Sequence, residues 1–267
     1  MVRDGRGSRQ TAPVTATPDD SARWVHRYQP EPTATRRLLC FPYAGGSASF
    51  FHPTSVALRP GVEVLGVQYP GRQERRDQPV LHDIATLADR AAEALLPWAD
   101  RPVAFFGHSM GAVVAYEIAR RWEQRHGIVL RHLYASGRRS PTRHREETVH
   151  LRDDAGLLAE LTGLGGPGLD LLADPEMRAL ILPPVRGDYT AIETYRHVPG
   201  ALLRCPVTAL VGEDDPRVSV DEARAWGELT DGPFALRTFP GGHFYLVGAQ
   251  RAVLDLLAEE PTTTPGR

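Results

Sequence analysis

Lysine and asparagine are absent from this sequence, so all 31 Lys/Arg positions are arginine. Both missing residues use A-rich codons, and a GC-rich genome explains the gap more economically than a functional need for arginine. Cysteine is nearly missing too, with Cys40 and Cys205 alone among 267 residues. Two cysteines without metal-site spacing exclude a disulfide framework and point to a reducing compartment. Cys40, inside an apolar run, reads as a small buried hydrophobe. No stretch approaches the roughly 20 consecutive apolar residues that a membrane-spanning helix needs. Met1 to about Pro32 is polar and has no signal-peptide core. A net charge of -2 gives no electrostatic case for nucleic acid or an anionic membrane. A cytoplasmic protein without cofactor or metal is expected. Its length fits one large domain whose core needs no staples.

What is present is an alternation of short apolar runs and amphipathic segments. Strands are expected at Arg37–Phe41, Val62–Tyr69, Val103–Phe106, Leu133–Ser136, Val207–Val211 and near Phe234–Phe239. Between them, Ile84, Leu87, Ala88, Ala91, Leu95 and Trp98 share one helical face. Further helices are expected from Gly111 to about Arg125, near Val220–Leu229 and near Val247–Leu257. Nearly continuous apolar strands separated by helices predict an α/β fold, a mostly parallel central sheet flanked by helices. From about Ser140 to His197 the alternation breaks. Leu157, Leu158, Leu161 and Leu164 form one apolar face there. A second holds Met177, Leu180 and Ile181, then Val185, Tyr189, Ile192 and Tyr195, interrupted by Pro183-Pro184. Inserted between two core strands, this segment reads as a helical lid at about 140–197. The domain reading is a disordered arm at 1–35, the folded domain at 36–258 and a disordered tail at 259–267.

The chemistry centres on Gly107-His-Ser109-Met-Gly111. An apolar strand runs into it and a helix follows, which is the order of a nucleophile elbow. The sharp turn strains the serine backbone and demands small neighbours at 107 and 111. A serine hydroxyl needs a histidine to take its proton and an acid to fix that histidine's tautomer. On this topology the partners follow in the order Ser, Asp, His. His243 sits between a strand and the last helix in Pro240-Gly-Gly-His243, where such a histidine belongs. His126, His132, His144 and His150 read as surface residues, and His108 as structural. For the acid, strand Val207–Val211 runs into Gly212-Glu-Asp-Asp-Pro216, and composition does not choose between Asp214 and Asp215. Oxyanion donors are expected at the backbone N–H of Met110 and in the loop Tyr43-Ala44-Gly45-Gly46.

Read together, Phe41-Pro-Tyr-Ala-Gly-Gly-Ser-Ala48, Tyr69-Pro-Gly-Arg72, Gly107-His-Ser-Met-Gly-Ala112, Gly212-Glu-Asp-Asp-Pro216 and Gly241-Gly-His-Phe244 make a specific set. It resembles the type II (external, editing) thioesterases of polyketide and nonribosomal peptide synthesis, within the α/β-hydrolase superfamily, over about residues 36 to 258. The resemblance implies an α/β-hydrolase fold with the lid inserted before the strand of the triad Asp. It implies Ser109, Asp215 and His243 as the catalytic residues, Asp215 because it precedes Pro, with Ala44 and Met110 as oxyanion donors. The implied substrate is an acyl thioester on the phosphopantetheine arm of a carrier protein. Alternatives are a carboxylesterase on oxygen esters, an inactive hydrolase fold used for docking, and a chain-releasing thioesterase. A chain starting at its own Met is expected to be a freestanding monomer rather than a terminal synthase domain. Carrier domains are usually acidic, and Arg72, Arg75, Arg76, Arg138, Arg139, Arg143 and Arg145 are candidates for a basic docking rim.

Overall fold

The computed structural model describes residues 18–259. Seven strands form one sheet: β1 (Val25–His26), β2 (Arg36–Phe41), β3 (Val62–Val67), β4 (Val103–His108), β5 (His132–Ser136), β6 (Val207–Gly212) and β7 (Phe234–Phe239). Their spatial order is β1-β3-β2-β4-β5-β6-β7, with β1 antiparallel to β3 and every other pairing parallel. The expected parallel sheet is therefore observed, and β4, which leads into Ser109, lies at its centre.

Side-chain alternation along the central strands builds two cores. Leu39 and Phe41 of β2 and Phe105 of β4 face one side, while Leu38, Cys40 and Phe106 face the other. The first side is covered by α3 (Ile84–Leu95) and α4 (Met110–His126), following α1 (Pro18–Arg23) and α2 (His52–Ala57) in the chain. Helix α3 begins where the Asp83 carboxylate accepts the Thr86 N–H at 2.7 Å. It gives way at Pro97 to a short 3₁₀ turn holding Trp98. Gly127, at φ 68°, closes α4 in the left-handed conformation.

Helices α5 (Asp154–Leu164) and α6 (Pro175–Thr194) fill the insertion between β5 and β6. Their contact is a separate small core of Val149, Leu157, Leu182 and Val185. Pro183 and Pro184 do not interrupt α6 as the sequence pattern suggests, since the helix runs through both. Helices α7 (Val220–Arg224), α8 (Tyr245–Gly248) and α9 (Gln250–Ala258) complete the fold, with Val253 and Leu257 of α9 on the second face.

The stretch at 18–35, expected to belong to a disordered arm, is instead built into the fold. Trp24 is 1% exposed and Val25 pairs with Val67, so this stretch of the chain adds an edge strand and seals the first core. Residues 1–17 and 260–267 lie outside the described residues.

Candidate active site

Ser109 sits between the end of β4 and the first residue of α4, with φ 55° and ψ -120°. A non-glycine residue with positive φ is strained, and here the surroundings impose it. Its N–H donates to the Ser136 carbonyl at 2.8 Å, tying the turn to the end of β5. The small neighbours are required by close approach. A Cβ on Gly107 would lie 2.2 Å from the Gly111 carbonyl oxygen, and one on Gly111 would lie 2.1 Å from that of Phe41.

His243, in the loop after β7, reaches the serine: its Nε2 lies 3.1 Å from Ser109 Oγ. On the opposite edge of the ring, Nδ1 lies 2.9 and 3.1 Å from the two Asp215 carboxylate oxygens. Asp215 Oδ1 also accepts the Arg217 N–H at 2.8 Å. The Asp215 and His243 side chains are 0% and 4% exposed. Asp214 is exposed instead and binds through its N–H to the Gly241 carbonyl. With an acid on Nδ1 the ring holds its proton there, leaving Nε2 free to accept one from the hydroxyl. This arrangement can generate an alkoxide nucleophile.

Ala44 lies in the loop after β2 on the cavity wall, and Met110 opens α4. Among the described residues neither of their N–H groups has an acceptor. A helix start leaves such donors unpaired by construction.

His108 does not reach Ser109. It is fully buried, with Nδ1 2.9 Å from Ser136 Oγ, which in turn lies 2.6 Å from the Tyr245 hydroxyl. Burial, reinforced by the nearby His243, holds the imidazole of His108 well below its ordinary pKa. Its neutral ring packs 5.1 Å from that of His243.

One part of the site escapes sequence reasoning. Asp188, on α6, binds both Arg72 guanidinium nitrogens at 2.5 and 2.8 Å and accepts the Gly45 N–H at 2.7 Å. The insertion is thereby fastened to the peptide next to Ala44. The motif Tyr69-Pro-Gly-Arg72 signals half of this pair, and nothing in sequence spacing signals Asp188.

Ser109 and His243 open onto a cavity of about 490 Å³. Leu161 and Leu164 of α5 and Met177, Leu180 and Ile181 of α6 supply much of its wall. Tyr43 also lines it, and burial pushes that phenol up to about 12.

A family model for the thioesterase domain matches residues 36–260. Thioesterase PikA5 of Streptomyces venezuelae is 46% identical over 248 residues, 92% of this chain and 88% of its own. A thioesterase assigned to cadicidin biosynthesis in Streptomyces griseus is 51% identical over 251 residues, 94% of this chain and 69% of its own. The solved structure of the type II thioesterase BorB, from the borrelidin biosynthetic cluster, aligns with a TM-score of 0.84 at 51% identity. That alignment covers 89% of this chain and 97% of BorB.

Proposed function

The chain belongs to the thioesterase family, alongside type II thioesterases and with their α/β-hydrolase fold, and from that premise we propose that it hydrolyses acyl thioesters carried on phosphopantetheine arms. Such an enzyme releases aberrant or stalled acyl groups from a polyketide or nonribosomal peptide synthase. The observation that carries this reading is the hydrogen-bonded chain Ser109–His243–Asp215 opening onto a largely apolar cavity. Residues 36–258 act as the catalytic unit, with the 140–197 segment as its lid.

Ser109 Oγ attacks the thioester carbonyl carbon while His243 Nε2 takes the hydroxyl proton, and Asp215 stabilises the imidazolium that forms. The carbonyl oxygen becomes an oxyanion held by the N–H groups of Ala44 and Met110. Each such donor is worth on the order of 10²–10³ in rate. Collapse breaks the C–S bond, and His243 returns the proton to the departing thiolate. A thiol of pKa about 8.5 leaves far more readily than an amine, so little acid assistance is required. Water then enters and gives a proton to His243. Its oxygen attacks the acyl-serine carbonyl, and collapse breaks the bond to Ser109 Oγ, which takes the proton from His243 as the carboxylic acid departs.

The reading is tested by steady-state turnover of one acyl group presented as a carrier-protein thioester and as the matching oxygen ester. Faster thioester hydrolysis supports it, and faster oxygen-ester hydrolysis makes the protein a carboxylesterase instead.

A further inference from the structure

Of the seven arginines that suggest a docking rim, six are engaged within the protein. Arg143 binds Glu228 at 3.0 Å and Arg145 binds Glu222 at 2.7 Å. Arg139 bonds to Glu147, and Arg138 lies 4.0 Å from the same carboxylate. Arg72 is held by Asp188. Arg75 donates to the Gln68 carbonyl at 2.7 Å and stacks 4.1 Å over the Trp24 ring. Arg76 differs: it is exposed, and among the described residues its guanidinium has no hydrogen bond, ion pair or ring contact.

The local backbone explains the split. Gln73–Arg75 is a 3₁₀ turn, in which residues three apart eclipse one another. Arg72, extended at the start of the turn, and Arg75 within it are both buried. Gln73 and Arg76 are exposed instead, and both line the cavity that holds Ser109 and His243. Gln73 adopts φ 51°, a strained conformation for a residue other than glycine. Ser47 and Ser49 line the same wall.

Among the described residues the cavity lining contains no carboxylate, and its two guanidinium groups are those of Arg72 and Arg76. Asp188 neutralises the first. The cavity thus has one uncompensated cation, beside an amide and two hydroxyls, on a wall otherwise suited to an acyl chain. A guanidinium matches a phosphate geometrically as well as electrostatically. We infer that Arg76, with Gln73 beside it, forms a subsite for the phosphodiester of the phosphopantetheine arm. This rests on the carrier-thioester reading above and adds what recognises the arm.

The test compares acyl-pantetheine with acyl-4'-phosphopantetheine thioesters of the same acyl group, in wild type, Arg76→Gln and Arg76→Lys. Wild type is expected to favour the phosphorylated thioester by about tenfold in kcat/KM, through KM, the size of one partly exposed charge-assisted contact. Arg76→Gln removes that preference and Arg76→Lys keeps part of it. An equal preference in wild type and Arg76→Gln overturns the inference. So does an effect of Arg76→Gln seen only with acyl-carrier protein, which would put the contact on the carrier's surface. Calorimetric binding of 4'-phosphopantetheine against pantetheine reads the same preference without turnover. If wild type hydrolyses neither thioester, the hydrolase reading falls, and the binding ratio still decides the subsite.

Discussion

At the scale of single residues, the proposed reacting groups Ser109, His243 and Asp215 are distinct from the groups that hold the surrounding loops. Ser109→Ala is expected to abolish hydrolysis, by up to roughly 10⁶-fold if the three residues act as a unit, with purified-enzyme turnover as the check. Asp215→Asn should cost far more than Asp214→Asn, because only the Asp215 carboxylate reaches the His243 ring. Equal losses in kcat would move the acid's role away from Asp215. Ser109 and His243 were legible in the sequence because each sits in a glycine-bearing loop at a strand end. The choice between Asp214 and Asp215 was not, since neighbouring residues on a turn differ in direction, which composition does not encode. Asp188 was harder still. Its partner Arg72 is 116 residues away, and an aspartate within a helical pattern reads as solvated.

At the scale of elements, the parallel strands β2 to β6 were legible because burial on both faces leaves apolar runs bounded by turns, whereas β7 at the sheet edge is partly exposed. The edge strand β1 was not, since two residues in a polar stretch carry no periodicity. The consequential junction is between α6 and the loop after β2. Arg72 and Asp188 are 7% and 3% exposed, so removing one partner strands a buried charge. Asp188→Leu is expected to cost about 3–5 kcal/mol in denaturant unfolding. Arg72→Met combined with Asp188→Leu should cost less than Asp188→Leu alone, because the stranded charge is gone. Both variants should lower kcat, because Gly45 loses its acceptor beside the Ala44 N–H. A double variant that is no more stable than Asp188→Leu would remove the charge argument.

At the scale of the whole molecule, two cores on either side of the sheet hold the strand ends in register, and the chemistry sits along one edge. The cores also bury titratable groups. His132, which the sequence places at the surface, is only 9% exposed and burial lowers its pKa to about 4, while burial holds His108 well below its ordinary value. The unfolded chain protonates both near pH 6.5. Between that value and the folded-state value the unfolded chain binds more protons, so stability is full above pH 6.5 and falls as pH drops. Each histidine contributes a slope of up to about 1.4 kcal/mol per pH unit. His132→Gln should flatten the acid limb of unfolding free energy against pH, and an unchanged limb would show that His132 does not set it.

Helix α6 carries one more consequence. Pro183 and Pro184 have no N–H to offer, so the carbonyls of Ala179 and Leu180 lose their donors within the helix. The helix is therefore two stretches in one continuous path. The first, with Met177, Leu180 and Ile181, lines the cavity, and the second adds Pro184, Val185 and Tyr189 to the same wall while carrying Asp188 and its bond to Gly45. The same rod therefore shapes the cavity wall and anchors the loop that carries Ala44.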